Sequence, residues 1–151
     1  MHRASAVVLS LAVVLAACGG GGSSGSGSLP DGKHFGSVRS IDPERFSLEL
    51  DEAELLHGEE ATAAAAEDGA AVTPKGSYVR DVAHDVVRLT LDPSLRVRLL
   101  EPCCDLHEVS FEHWLDGFEP DDRTFYGTSD SRYLVTIEDQ KVVAVDEVYL
   151  P

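Results

Sequence analysis

The hydrophobic pattern changes period several times along the chain. In RFSLEL (45–50), Phe46, Leu48 and Leu50 alternate with Ser47 and Glu49, the two-residue period of a half-buried strand. HFGSVRSI (34–41) precedes it across Asp42-Pro43-Glu44, so the two runs read as a hairpin. The pattern then turns helical. Asp51 with Glu54 three residues on has the form of a capping box, Ala53, Leu55 and Leu56 follow, and Gly58 stops the run. EEATAAAAEDG (59–69) predicts a second short helix, with acids in the first turn, where the helix dipole favours them, and Gly69 at its end. Residues 69–77 read as loop and YVRD (78–81) as a short strand.

VVRLTL (86–91) and LRVRL (95–99) flank Asp92-Pro93-Ser94 and read as a second hairpin, with Val87, Leu89 and Leu91 on one face and Leu95, Val97 and Leu99 on one face. In DLHEVSFEHWLDG (105–117), Asp105 and Glu108 repeat the capping spacing. Phe111, Trp114, Leu115 and Phe118 keep helical spacing, and Gly117 sits at the stop. A polar loop (119–131) leads to a closing hairpin of YLVTI (133–137) and VVAVDEVYL (142–150) around Glu138–Lys141. Strands outnumber helices and neighbours are joined by tight turns. The expected class is therefore α+β: a small, mostly antiparallel β-barrel or sheet with two or three short helices. A partly open barrel of the oligonucleotide/oligosaccharide-binding (OB) type is its leading form, a fold that carries no function with it. Residues 31–151, about 120 in all, make one ordinary domain with enough apolar side chains for a core and no internal repeat.

The amino end is of another kind. Met1, His2 and Arg3 precede an apolar block from Ala4 to Ala17, too short for a helix that crosses a bilayer, which needs about 18–20 residues. A basic start, a short apolar middle and small residues before a break describe an export signal, residues 1–17. Leu15-Ala16-Ala17-Cys18 resembles the lipobox of bacterial lipoproteins. That resemblance implies that Cys18 is acylated, becomes the mature amino terminus and holds the chain at the membrane by several acyl chains; one alone would bind only marginally. Gly19–Ser28 contains only glycine and serine, a flexible coil with an end-to-end distance of roughly 16 to 19 Å. Residues 18–30 thus form a lipidated cysteine and linker.

Charge narrows the partners. The chain has 12 Lys+Arg against 27 Asp+Glu; removal of residues 1–17 takes one arginine and no acid, leaving 11 against 27 and a formal net charge of −16. An anionic membrane surface repels such a domain, so contact with the membrane runs through the lipid anchor only. Nucleic acid, whose binding depends on lysine and arginine neutralising phosphates, is not an expected partner. A protein or small-molecule partner is left open, and solubility is the plainest reading of the acidity.

DGKHFGSVRSID, LDEAELLHGEEATAAAAEDG, YVRD and the closing VVAVDEVYLP together resemble an uncharacterised family of actinobacterial secreted proteins and lipoproteins. Its members open on Gly-x-His-Phe-Gly, carry an acidic helix ending in Gly-Glu-x-Ala and an Asn/Asp-Tyr-Arg strand, and end in Tyr-Leu-Pro. The likeness spans most of residues 31–151 as scattered short motifs. The chain departs from it at Ser37, where members often have tyrosine, at the shorter GSYVRD, and in its adjacent cysteines. The resemblance implies domain limits and location, and no activity or ligand.

Cys103 and Cys104 are the sharpest chemical feature. Two unpaired thiols, a vicinal disulfide and a bridge to another chain are all open in an oxidising compartment. Disulfides favour Cα separations of about 4.4 to 6.8 Å, and neighbours across a trans peptide sit at about 3.8 Å, so a vicinal bridge is strained and easily reduced. A copper or zinc site from Cys103, Cys104, His107 and His113 is a further candidate. Its spacing is poor, because paired zinc cysteines are usually separated by about two to four residues. HEVSF lacks the second histidine of a zinc-protease helix. Arg80, Arg88, Arg96 and Arg98 form a candidate anion patch, against which stands pairing with the chain's own carboxylates, Glu49 and Glu138 being natural partners. His34 reads as a structural hydrogen-bonding residue rather than a base. Asp116, Glu119, Asp121 and Asp122 lack the alternation of a calcium loop. No nucleophile elbow, phosphate loop or dinucleotide fingerprint appears, so the sequence names no catalytic residue and implies no cofactor. The function it points to is a lipid-anchored, non-enzymatic accessory or ligand-binding module. The alternative is an envelope redox or metal-binding protein using the vicinal cysteines.

Overall fold

The computed structural model describes residues 28–73, 75–81, 86–100, 105–118 and 127–150. The elements run β1 (Gly32–Asp42), β2 (Ser47–His57), α1 (Gly58–Glu67), β3 (Ser77–Asp81), β4 (Val87–Leu100), β5 (Leu106–Val109), α2 (Phe111–Asp116), β6 (Arg132–Glu138) and β7 (Lys141–Val148). Strands β1, β2, β4, β7 and β6 close into a five-stranded barrel, while β3 extends from β2 and β5 from β4. Every pairing is antiparallel except β4 with β7. Renumbered among themselves, the barrel strands follow the order 1-2-3-5-4 with the third and fifth parallel, which is OB-type connectivity. Starting from Gly32, paired positions pass through Ile137, Val142, Leu91 with its neighbour Thr90, and Ser47 to rejoin β1 at Asp42. That stagger of about ten residues tilts the strands steeply and fills a narrow interior with side chains.

The core is the inward half of the strand alternation: Val38, Leu48, Leu50, Leu89, Leu91, Val97, Leu99, Val135, Ile137, Val142 and Val145, all buried. Close strand approach explains one glycine of the opening motif. A Cβ on Gly36 would stand 2.1 Å from the Asp51 carbonyl oxygen on β2, so only glycine lets the strands meet there.

Trp114, fully buried, closes one end of the barrel. It meets Phe111, Phe118 and Tyr133 edge-on at centroid distances of 6.2, 5.8 and 5.8 Å, and Phe46 joins through Phe111. Burial pushes the Tyr133 phenol up in pKa, and its hydroxyl donates to the Thr128 carbonyl at 2.8 Å.

Three local expectations give way to tertiary pairing. The stretch after Asp51 is strand, not helix: β2 runs on to His57, and Ala53–His57 pairs with β3. Seven residues before a glycine are too few to sustain a helix alone, and Asp51, instead of capping, accepts from Arg39 across the sheet. The second hairpin is one bent strand, β4. Asp92-Pro93-Ser94 does form a local turn, with the Ser94 N–H donating to Asp92 Oδ1 at 2.9 Å, yet it is a bulge. Both limbs of β4 lie parallel to β7; the first also pairs with β2 and the second with β5. Residues 106–109 are strand, and the helix starts later, capped by Ser110, whose Oγ accepts from the His113 N–H at 3.1 Å. The alanine helix forms as expected, its end closed by the Gly69 N–H to the Ala66 carbonyl and the Ala70 N–H to the Ala65 carbonyl.

Candidate functional site

A half-open depression of about 320 Å³ lies between the end of β1, the β1–β2 turn and α2. Ile41, Pro43, Leu115 and Phe118 form apolar walls, and Arg39, Ser40 and Ser129 supply polar groups. A β-bulge between Val38 and Ser40 puts both Arg39 and Ser40 on the outer surface, which simple alternation would forbid. Phe118 is held by its edge contact with Trp114, so that wall is preformed. The volume is at the low end for small-molecule sites, roughly 300 to 1,000 Å³.

Beside the pocket, the outer face of β1, β2 and β4 is a ladder of internal ion pairs. Arg39 Nε donates to Asp51 at 2.9 Å, Ser40 Oγ to Glu49 at 2.9 Å, and Arg88 Nη2 to Glu49 at 2.7 Å. The Arg88 guanidinium, helped by Ser40, holds the Glu49 carboxyl below the usual carboxylate range. Arg80 bonds to Glu67 and Asp68 at 2.7 and 2.8 Å and to the Ala64 carbonyl at 3.3 Å. It thereby ties β3 to the C-terminus of α1, where a cation suits the negative end of the helix dipole, and it lowers the Asp68 pKa with Tyr78 assisting. Arg98 donates to Asp146 at 2.6 Å. Arg96 is exposed and makes no ion pair among the described residues. Glu138 is exposed at the β6–β7 turn opposite Lys141. Three of the four arginines singled out by sequence therefore already hold a carboxylate.

His34 is nearly enclosed, its side chain 10% exposed, with Nδ1 2.6 Å from Glu52 Oε1 and Nε2 2.9 Å from the Pro30 carbonyl oxygen. His107 lies exposed on β5 and His113 exposed on α2. Cys18, Cys103 and Cys104 lie outside the described residues, as do Glu119, Asp121 and Asp122; Asp116 is exposed at the end of α2. Among the described residues, no three His, Cys, Asp or Glu side chains gather where a metal ion could sit, and no helix is long and apolar enough to cross a membrane.

Sequence reading missed Glu147, a buried carboxylate only 5% exposed. Its Oε1 accepts from the Gly127 N–H at 2.9 Å and the Ser131 hydroxyl at 2.6 Å, and its Oε2 accepts from the Leu100 N–H at 2.9 Å. It thus joins the end of β4 to the segment that enters β6. The signal was period two itself: Val145 faces inward, so Glu147 must as well.

No protein-family model matches the chain, and neither a curated protein nor a solved structure shows significant similarity to it.

Proposed function

We propose that the chain is a lipid-anchored lipoprotein on the extracytoplasmic face of a bacterial cell membrane, and that its barrel is a non-enzymatic binding module for a small ligand. The observation that carries the location is Leu15-Ala16-Ala17-Cys18 directly before the Gly/Ser linker. The motif-level likeness to actinobacterial secreted proteins supports the same address. The pocket between β1 and α2 supports the binding role: its apolar walls and polar rim suit a ligand with one apolar face and a few hydrogen-bonding groups. The self-paired ladder beside it and the net negative charge disfavour polyanions.

The test uses the full chain expressed in an actinobacterial host. Wild type should sediment with membranes and carry an acyl mass increment, both lost in Cys18→Ser. Retention of Cys18→Ser in the membrane fraction overturns the anchor. For binding, a small-molecule panel is read through Trp114, the chain's single tryptophan, with Ser129→Phe as the variant that fills the pocket. A saturable change in wild type that Ser129→Phe abolishes supports the pocket; one that persists in the variant overturns it. A metal adduct, or mild-reductant-sensitive masking of Cys103 and Cys104 from alkylation, would instead favour the redox or metal role.

A further inference from the structure

We infer that residues 28–30 form a strap docked on the barrel by a proton-linked latch at His34. The strap joins the Gly/Ser linker to β1. Leu29 packs against the core, the Pro30 carbonyl meets His34 Nε2, and the chain bends at Asp31 into Gly32, whose φ of 142° only glycine adopts readily. Asp31 secures the base of the strap: its carboxylate accepts from the N–H groups of Asp139 and Gln140, both at 3.1 Å.

The proton count at the latch follows from the partners. A carbonyl oxygen only accepts, so Nε2 must carry a hydrogen. Nδ1 faces a carboxylate oxygen at 2.6 Å, and that contact also needs a proton between its two atoms, on the ring or on Glu52. Among the described residues the charged group that meets the ring is Glu52 from β2; Asp31, at the base of the strap, is engaged instead with the β6–β7 turn. From β6 the paired residue is Val135, which cannot titrate, and Lys33 precedes His34 on β1. When one proton leaves, the hydrogen that remains stays on Nδ1, where the Glu52 carboxylate accepts it. Bare Nε2 then faces the Pro30 carbonyl oxygen, two acceptors opposed at 2.9 Å, so the contact that holds the strap is lost. The strap lifts about the Asp31–Gly32 hinge, uncovering the core where Leu29 lay. This inference stands whether or not Cys18 is acylated.

The experiment follows the full chain, 15N-labelled in detergent micelles, by NMR over about pH 5 to 8, the range in which histidine is the switch. The ring nitrogens of His34 and the amides of Leu29 and Asp31 are read together. Ring and strap should move with one midpoint, the strap docked on the acid side. In Glu52→Gln the side-chain amide can donate to Nδ1 of a neutral ring, so docking should persist with the pH dependence gone; in His34→Ala the strap should be free throughout. A strap that stays docked while the His34 ring loses its proton, or a Glu52→Gln variant with the wild-type midpoint, overturns the latch.

Discussion

Glu147 offers the sharpest test of how this barrel is held. Its two carboxylate oxygens satisfy the backbone N–H groups of Leu100 and Gly127 and the Ser131 hydroxyl. Glu147→Gln keeps the shape but replaces one acceptor by an NH₂ group that can only donate, so one partner N–H faces a donor whichever way the amide turns. A buried donor left without an acceptor costs about 1–3 kcal/mol. Removing the charge relieves its desolvation, but three charge-assisted hydrogen bonds already offset most of that cost. The loss should therefore win, at about 2 kcal/mol for Glu147→Gln. Glu147→Ala orphans both N–H groups and leaves a void, about 4 kcal/mol in all. For a domain of this size those figures lower Tm by about 8 and 16 °C. Urea unfolding of the full chain, followed by Trp114 fluorescence, gives the ranking. Amide exchange should quicken first at Leu100 and Gly127. A Glu147→Gln variant within about 0.5 kcal/mol of wild type, the range of an inert surface substitution, with those two amides unchanged, would refute the reasoning.

Gly36→Ala forces a Cβ against the backbone of Asp51, which cannot swing aside, and should cost about 1–3 kcal/mol or break the β1–β2 register, visible as a lower urea midpoint. Trp114→Ala empties the aromatic end of the barrel and should cost about 3–5 kcal/mol, with near-ultraviolet dichroism lost before far-ultraviolet. The Glu49 and Asp68 carboxyls are held below their ordinary values by Arg88 and Arg80, so their stabilisation is present above about pH 4 and is lost as pH falls through the folded-state values. Arg88→Gln should make the acid unfolding profile shallower, and salt should do the same because the pairs are exposed. Burial raises the Tyr133 pKa, so its stabilisation is intact below about pH 10 and is lost as pH climbs above that, with phenolate absorbance from this residue appearing only as the chain unfolds.

Where a local signal and its partner lie close in the chain, the sequence was sufficient. The alternation of Phe46, Leu48 and Leu50 marked a strand, the alanine run with Gly69 marked a helix and its end, and the closing hairpin was legible from its turn. Strand-rich composition with short turns was enough for a small, mostly antiparallel barrel, though not for its one parallel pair, β4 with β7. The expectation that His34 is a structural hydrogen-bonding residue fits its two contacts, although one of them comes from Pro30, which the sequence places in the linker.

The rest depended on which distant segment arrived. Asp51 and Glu54 satisfy a capping rule, but a cap of about 1 kcal/mol competes with five residue pairs to β3 and an ion pair to Arg39, neither visible locally. Asp92-Pro93-Ser94 turns as its residues dictate; whether a turn reverses a strand or merely bends it was decided by β7, which runs parallel to both limbs. The pocket exists because a bulge on β1 meets Leu115 and Phe118 from the far side of the chain. Glu147 could be placed inside by period two, but its tolerance there rests on donors 16 to 47 residues away. Backbone propensity acts over a turn or a strand, whereas burial of charge, closure of a barrel and the filling of its ends are satisfied only when the whole chain has met itself.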